Sequence, residues 1–144
     1  MLDSLRLALA ERRRQRVASR VSTEWAASRA RSGAELLDGE DPGWAARVDT
    51  RTLELADGQA CVLGQLHGDF RRGLFRSRVL GVSSAPARFV SPVDLGFQAT
   101  REGGPEAERL DYAFLTRAWR EEIASRQTPT LPASVPRRSD PVSS

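Results

Sequence analysis

Along most of this chain the apolar residues recur at three- and four-residue spacing, as in helices that bury one face. Leu2, Leu5 and Leu9, then Val17, Val21 and Trp25, follow this spacing with Arg and Ala between them and no Pro. The stripe lapses across residues 11–16, so residues 3–37 form either one long helix with a solvated Arg-rich turn in its middle or two helices that meet there. Gly39 supplies a stop, with Leu36 and Leu37 as the last buried pair. In Asp41-Pro42-Gly43-Trp44 an Asp N-cap precedes Pro at a first helical position, which predicts a short helix through Val48. Residues 49–55 read as a connector. Asp57 is a candidate cap for a helix over roughly residues 59–78, with Leu63, Leu66, Phe70 and Leu74 as its apolar face. Residues 83–86 break the chain, and the Phe and Val alternation of residues 88–99 predicts one or two short strands, interrupted at Ser91-Pro92. After a loop at Gly103-Gly104-Pro105, a last helix spans about residues 111–126, with Tyr112, Leu115, Trp119 and Ile123 on one face.

The expected fold is therefore mainly α within an α+β class. A long basic N-terminal helix is followed by three further helices and a small β element near residues 88–99. Residues 1–31 form a basic helical arm and residues 32–126 a compact domain. From residue 127 to 144 four of the chain's eight prolines alternate with Ser, Thr and Ala, the composition of a disordered tail.

Charge sharpens this division. Residues 1–31 hold eight Arg against three acids, residues 32–126 twelve against fifteen, and the tail two against one, within a net charge of +3 over 144 residues. A mildly acidic body carries a basic arm. All 22 basic residues are Arg, Asn is absent, and Ile123 is the single isoleucine, a codon pattern expected of a very GC-rich bacterium or a phage or mobile element within one. No stretch approaches the roughly 18 apolar residues of a membrane span, and the Arg cluster follows the first apolar residues rather than preceding them, opposite to a signal peptide. These features predict a cytoplasmic protein without a membrane partner.

Candidate chemistry is sparse. Cys61, Gly64 and Gly68 fall at steps of three and four, which puts three small residues on one stripe of the predicted third helix. Each mid-helix Gly costs about 1 kcal/mol relative to Ala, so the pair asks for a reason. The expected reason is a helix-packing groove for the arm or the C-terminal helix, and the alternative is a ligand or partner backbone lying in it. His67 lies six residues from Cys61, about 600° around a helix and on another face, and no second His or Cys completes a zinc site. No catalytic residue, metal or cofactor is predicted. Arg12, Arg13, Arg14, Arg16 and Arg20 cover much of the arm's circumference and are the candidate contacts for nucleic-acid phosphates, an acidic partner or anionic lipid. No helix-turn-helix, zinc-finger or RNA-binding signature accompanies them, and the acidic body would repel DNA. Trp25, Trp44 and Trp119 read as core anchors, and Trp44, if exposed, is the first candidate for a protein interface.

The segments Pro42-Gly43-Trp44, Val48-Asp49, Cys61 through Leu66 with Gly68 and Phe70, Leu95-Gly96-Phe97, Leu115-Thr116 and Ala118-Trp119 together resemble a family of small proteins without assigned activity that recur in actinobacterial genomes and actinobacteriophages. The resemblance spans about residues 33–126 and departs from the family at His67, where an aromatic is expected, and in having no second cysteine shortly before Cys61. It implies domain limits and origin, and no activity. The expectation is a non-enzymatic accessory or regulatory module that contacts a host or phage protein. A nucleic-acid-binding accessory factor using the Arg-rich helix is the alternative. The arm's apolar stripe can pair with its copy in a homodimer or fold back onto Gly64 and Gly68.

Overall fold

Residues 23–40 place Ala26, Ala30 and Ala34 at four-residue steps with Gly33 and Leu37 beside them, so one helix face is nearly flat and another helix can approach it closely. The computed structural model describes residues 2–76 and 91–127. In it α1 (Leu2–Arg20) is followed by α2 (Thr23–Glu40), a single 3-10 turn (Trp44–Arg47), α3 (Val62–His67), α4 (Phe70–Arg76) and α5 (Pro105–Gln127). The flat face of α2 packs along α5, whose Leu115, Trp119 and Ile123 are fully buried. Trp119 stacks on Phe97 at 5.2 Å and meets Trp44 edge-on at 5.8 Å, and these three rings fill the centre of the core.

One buried ion pair ties the two long helices together. Arg29 of α2 and Asp111 of α5 are 4% and 0% exposed, and both guanidinium nitrogens NH1 and NH2 donate to the carboxylate at 2.9 Å. Arg29 Nε also donates to the carbonyl of Val93 at 2.9 Å and NH2 to that of Gln98 at 3.2 Å, while Asp111 accepts the N–H of Thr100 at 3.0 Å. The pair thereby clamps the segment 91–100 between the helices. Gly33 and Gly96 make room for it: a Cβ on Gly33 would lie 2.1 Å from the carbonyl oxygen of Leu95, and one on Gly96, at φ +72°, would strike the backbone of Arg29 and Ala30.

Several expectations are corrected. The described residues contain no strand: residues 91–99 are a succession of turns, closed by bonds such as Phe97 N–H to Pro92 O at 2.9 Å. The alternation in sequence reflects burial of Phe97 and Ala99, while side chains rather than a neighbouring strand satisfy the backbone, Trp119 Nε1 donating to Gly96 O at 2.6 Å. Residues 88–90 of the predicted β element lie outside the described residues, as does the tail from residue 128. The N-terminal stretch is two helices, but they meet at Val21–Ser22 and not across residues 11–16, because Ser22 in an extended conformation caps α2 by accepting the N–H of Trp25 at 3.1 Å. Packing therefore divides the arm from the body near residue 21 rather than 31, since Ala26, Arg29 and Ala30 are core residues.

Asp41 caps the C-terminus of α2 instead of starting a helix at Pro42, because Gly43 at φ +86° cannot be helical, and the turn that follows covers only Trp44–Arg47. The predicted third helix is broken at Gly68, and α5 begins six residues earlier than expected, with Pro105 at its first position and Glu106 and Glu108 in its first turn.

A second polar cluster closes the far end of α2. Arg126 donates from Nε and NH2 to Asp38 at 2.9 and 2.8 Å and from NH1 to Glu122 at 2.8 Å, and Trp44 Nε1 donates to Asp38 at 2.9 Å. The bonds from Arg126, aided by that of Trp44 and opposed by partial burial, hold the Asp38 carboxyl below its ordinary value.

Two outcomes follow. Arg29→Met or Asp111→Leu alone leaves a buried charge unpaired and costs about 3–5 kcal/mol in urea unfolding. The double variant recovers part of this in a double-mutant cycle but stays less stable than wild type, because Val93 O, Gln98 O and Thr100 N–H then lack partners at about 1–3 kcal/mol each. Because the folded-state pKa of Asp38 is depressed, its contribution is full above the unfolded value near 4 and is lost as pH falls through the folded value. Thermal melts of wild type and Asp38→Asn should thus differ at neutral pH and converge in strong acid. A difference that persists unchanged there would refute this assignment.

Candidate functional site

The three small residues expected to form one packing groove serve three separate local purposes. Cys61 is the N-cap of α3, its Sγ accepting the N–H of Gly64 at 3.3 Å while the thiol donates to Gly58 O at 3.7 Å. Gly64 is crossed by the preceding loop, with Gly58 O 2.3 Å and Gln59 O 2.7 Å from where its Cβ would stand. Gly68 ends α3 at φ +100°, and Asp69 starts α4 by accepting the N–H of Arg72 at 2.9 Å. Among the described residues it is the 58–59 loop and not a helix that lies against Gly64, while Cys61 and Gly68 stand at the two ends of α3. The readable signal was Gly68-Asp69 itself, a glycine stop followed by a capping Asp.

Cys61 and His67 stand at opposite ends of α3. Burial raises the Cys61 thiol above its ordinary pKa, which disfavours the thiolate that nucleophilic chemistry needs. Among the described residues no group of three His, Cys, Asp or Glu side chains could hold a metal. Gln65, which the sequence places between the two glycines where it can cap a neighbouring loop, is a backbone clamp: its Oε1 accepts the N–H of Asp49 at 2.7 Å, and its Nε2 donates to Asp49 O at 3.1 Å and Ala60 O at 3.0 Å. Trp44 is 1% exposed, with its indole N–H bound to Asp38, so no surface is left for a partner.

α1 stands apart from the packed body. It is nineteen residues long and none of its side chains is buried. Leu2, Leu5, Leu7 and Leu9 are 55–72% exposed. Among the described residues the helix meets the body toward its C-terminal end: Arg13 pairs with Glu102 at 3.4 Å, and Arg14 and Ala18 lie over the loop Gly103-Gly104. Arg14 pairs within the helix with Glu11 at 2.7 Å. The guanidinium groups of Arg20 and Arg29 stack on Trp25, 4.5 and 4.0 Å from the ring centroid. Trp25 is accordingly half-buried under arginines rather than a core anchor. The five candidate arginines thus do not act as one uniform patch: Arg13, Arg14 and Arg20 have partners, whereas Arg12 and Arg16 extend from an exposed stretch.

No helix among the described residues is long and apolar enough to cross a membrane. No known protein family, curated protein or solved structure matches the chain.

The glycine assignments can be tested as a pair. Gly64→Ala, which forces a methyl against the 58–59 backbone, should lower stability by about 1–3 kcal/mol. Gly39→Ala, in α2 with nothing within 4 Å of the new methyl, should raise it by about 0.5–1 kcal/mol. Equal effects in denaturant melts would contradict the close approach at Gly64.

Proposed function

We propose that this chain is a non-enzymatic accessory or regulatory interaction module acting in the cytoplasm, and that α1 is the element it presents to a protein partner. Its phage or mobile-element background in a GC-rich actinobacterium is part of the same proposal and rests on the all-arginine composition and on the motif resemblance. The single observation that carries the functional reading is a nineteen-residue helix with no buried side chain and four exposed leucines. Helices in proteins draw most of their stability from packing an apolar face, so α1 gains order when its stripe is covered. Burying one leucine contributes about 1.5–3 kcal/mol, which nucleic-acid phosphates cannot supply.

The exposure of Arg12 and Arg16 favours the second reading, a nucleic-acid accessory factor. The two separate by salt and by residue, because phosphate contacts weaken steeply as salt rises and apolar contacts do not. Tagged protein is incubated with lysate of a GC-rich actinobacterial host, with and without nuclease, at low and raised salt. The expected result is a retained protein that survives nuclease and salt and is lost from Leu5→Glu/Leu9→Glu but kept by Arg12→Glu/Arg16→Glu. Retention that vanishes with nuclease, or with the arginine variant alone, makes the protein a nucleic-acid factor instead.

A further inference from the structure

The large hydrophobic side chains that stand exposed among the described residues are Leu2, Leu5, Leu7 and Leu9 on α1 and Leu110 on α5. Leu110 is 48% exposed and, with Ala18, Ala107 and Ala113, lines an open groove of about 520 Å³ beside the root of α1, with Glu106 and Arg109 at its rim. The two surfaces match in apolar character but cannot meet within one chain. α1 is an unbroken helix rooted at Ala18, and at 1.5 Å per residue Leu9 lies about 14 Å and Leu2 about 24 Å further along its axis.

Charge selects what covers them. α1 holds six Arg against two acids, whereas residues 21–127 hold fourteen Arg against sixteen acids. Two copies of α1 laid side by side repel, and an α1 laid on the body of another copy is attracted. On a helix Leu2, Leu5 and Leu9 share a stripe that continues into Arg12 and Arg16. Glu106, almost fully exposed and 3.7 Å from Arg109, stands at the groove rim as an acid that Arg12 or Arg16 of an incoming α1 can pair with.

Resting on the reading that α1 is a protein-binding element, we propose that its partner is a second copy of this chain: the Leu2-Leu5-Leu9 stripe of each copy seats in the Ala107-Leu110-Ala113 groove of the other. The exchange is reciprocal, so it closes as a two-fold dimer and leaves no stripe uncovered. It differs from a dimer through paired N-terminal helices, which like charge opposes.

Sedimentation of the full chain over a range of concentrations tests this. The wild type should dimerise, and Leu5→Glu/Leu9→Glu and Leu110→Glu should each weaken the dimer about tenfold or more, since a charge then faces an apolar seat. Both sites are solvent-exposed, so far-ultraviolet circular dichroism should show the fold retained, and Ala113→Glu, also exposed, serves if Leu110→Glu does not fold. Mixing the stripe variant with the groove variant should restore one seat and hence a mixed dimer. A wild type that stays monomeric overturns the proposal, and leucine-dependent capture of another protein from lysate would then still uphold the α1 reading. Dissociation by the stripe variant but not by Leu110→Glu or Ala113→Glu overturns the groove as the seat.

Discussion

An arginine and an aspartate shut away from water must find every hydrogen bond they lose on burial, and in this protein that demand organises the fold. The Arg29 guanidinium is a rigid planar fork, and Asp111 meets it with both carboxylate oxygens at 2.9 Å. Nε and the second NH2 proton donate to Val93 and Gln98, and the carboxylate also accepts from Thr100, so the position of the segment 91–100 is dictated by the stereochemistry of one pair. The charge pairing by itself adds little net stability over an apolar replacement, but the bonds to Val93, Gln98 and Thr100 would be lost with it, and together they permit few arrangements. Its role here is to specify where an irregular segment crosses two helices.

The same logic recurs wherever the backbone is neither helix nor strand. The long connection between the Trp44–Arg47 turn and α3 has no sheet to satisfy its peptide groups. Side chains from the helices do so instead. Arg120 donates to Thr50 O and Leu53 O, Thr116 Oγ1 accepts the N–H of Leu55 at 3.1 Å, Gln127 donates to Ala45 O and Val48 O, and Gln65 holds Asp49 and Ala60. Buried peptide groups left without such partners would each cost a fraction of the whole stability of a chain this size. A mainly helical domain with so much irregular backbone therefore needs polar side chains aimed inward, and their number explains how a chain of modest apolar content still folds.

This accounts for what could and could not be read beforehand. The apolar faces of α5 and of the Leu63-Leu66-Phe70-Leu74 series were legible because helical periodicity is local, and it survived even where Gly68 splits the helix. Side-chain clamps are not local. Arg29 and Asp111 are 82 positions apart, and the only hint of them is a charge on an otherwise apolar stripe: Arg29 beside Ala26 and Ala30, and Asp111 four residues before Leu115. The strand expected over residues 88–99 failed for the same reason, since alternation reports which side chains are buried and not what bonds their backbone. The leucine stripe of α1 was visible in sequence, but periodicity alone could not tell a stripe packed inside the domain from one left outside it.

The distribution of polar groups also bears on where function resides. Cys61 caps a helix, Gln65, Arg120 and Gln127 hold loops, Arg29 is spent on Asp111 and on the segment between the helices, and Arg126 is occupied by Asp38 and Glu122. A side chain committed to such a bond cannot change partner or protonation state without loosening the segment it secures. Altering the clamps for chemistry would therefore act against the fold, whereas α1 contributes no buried side chain and meets the body at a few points near Ala18. Residues 2–12 can exchange leucines and arginines with little effect on the core. This separation of a polar-clamped body from an unburied helix places the demands of stability on the body and leaves α1 free of them.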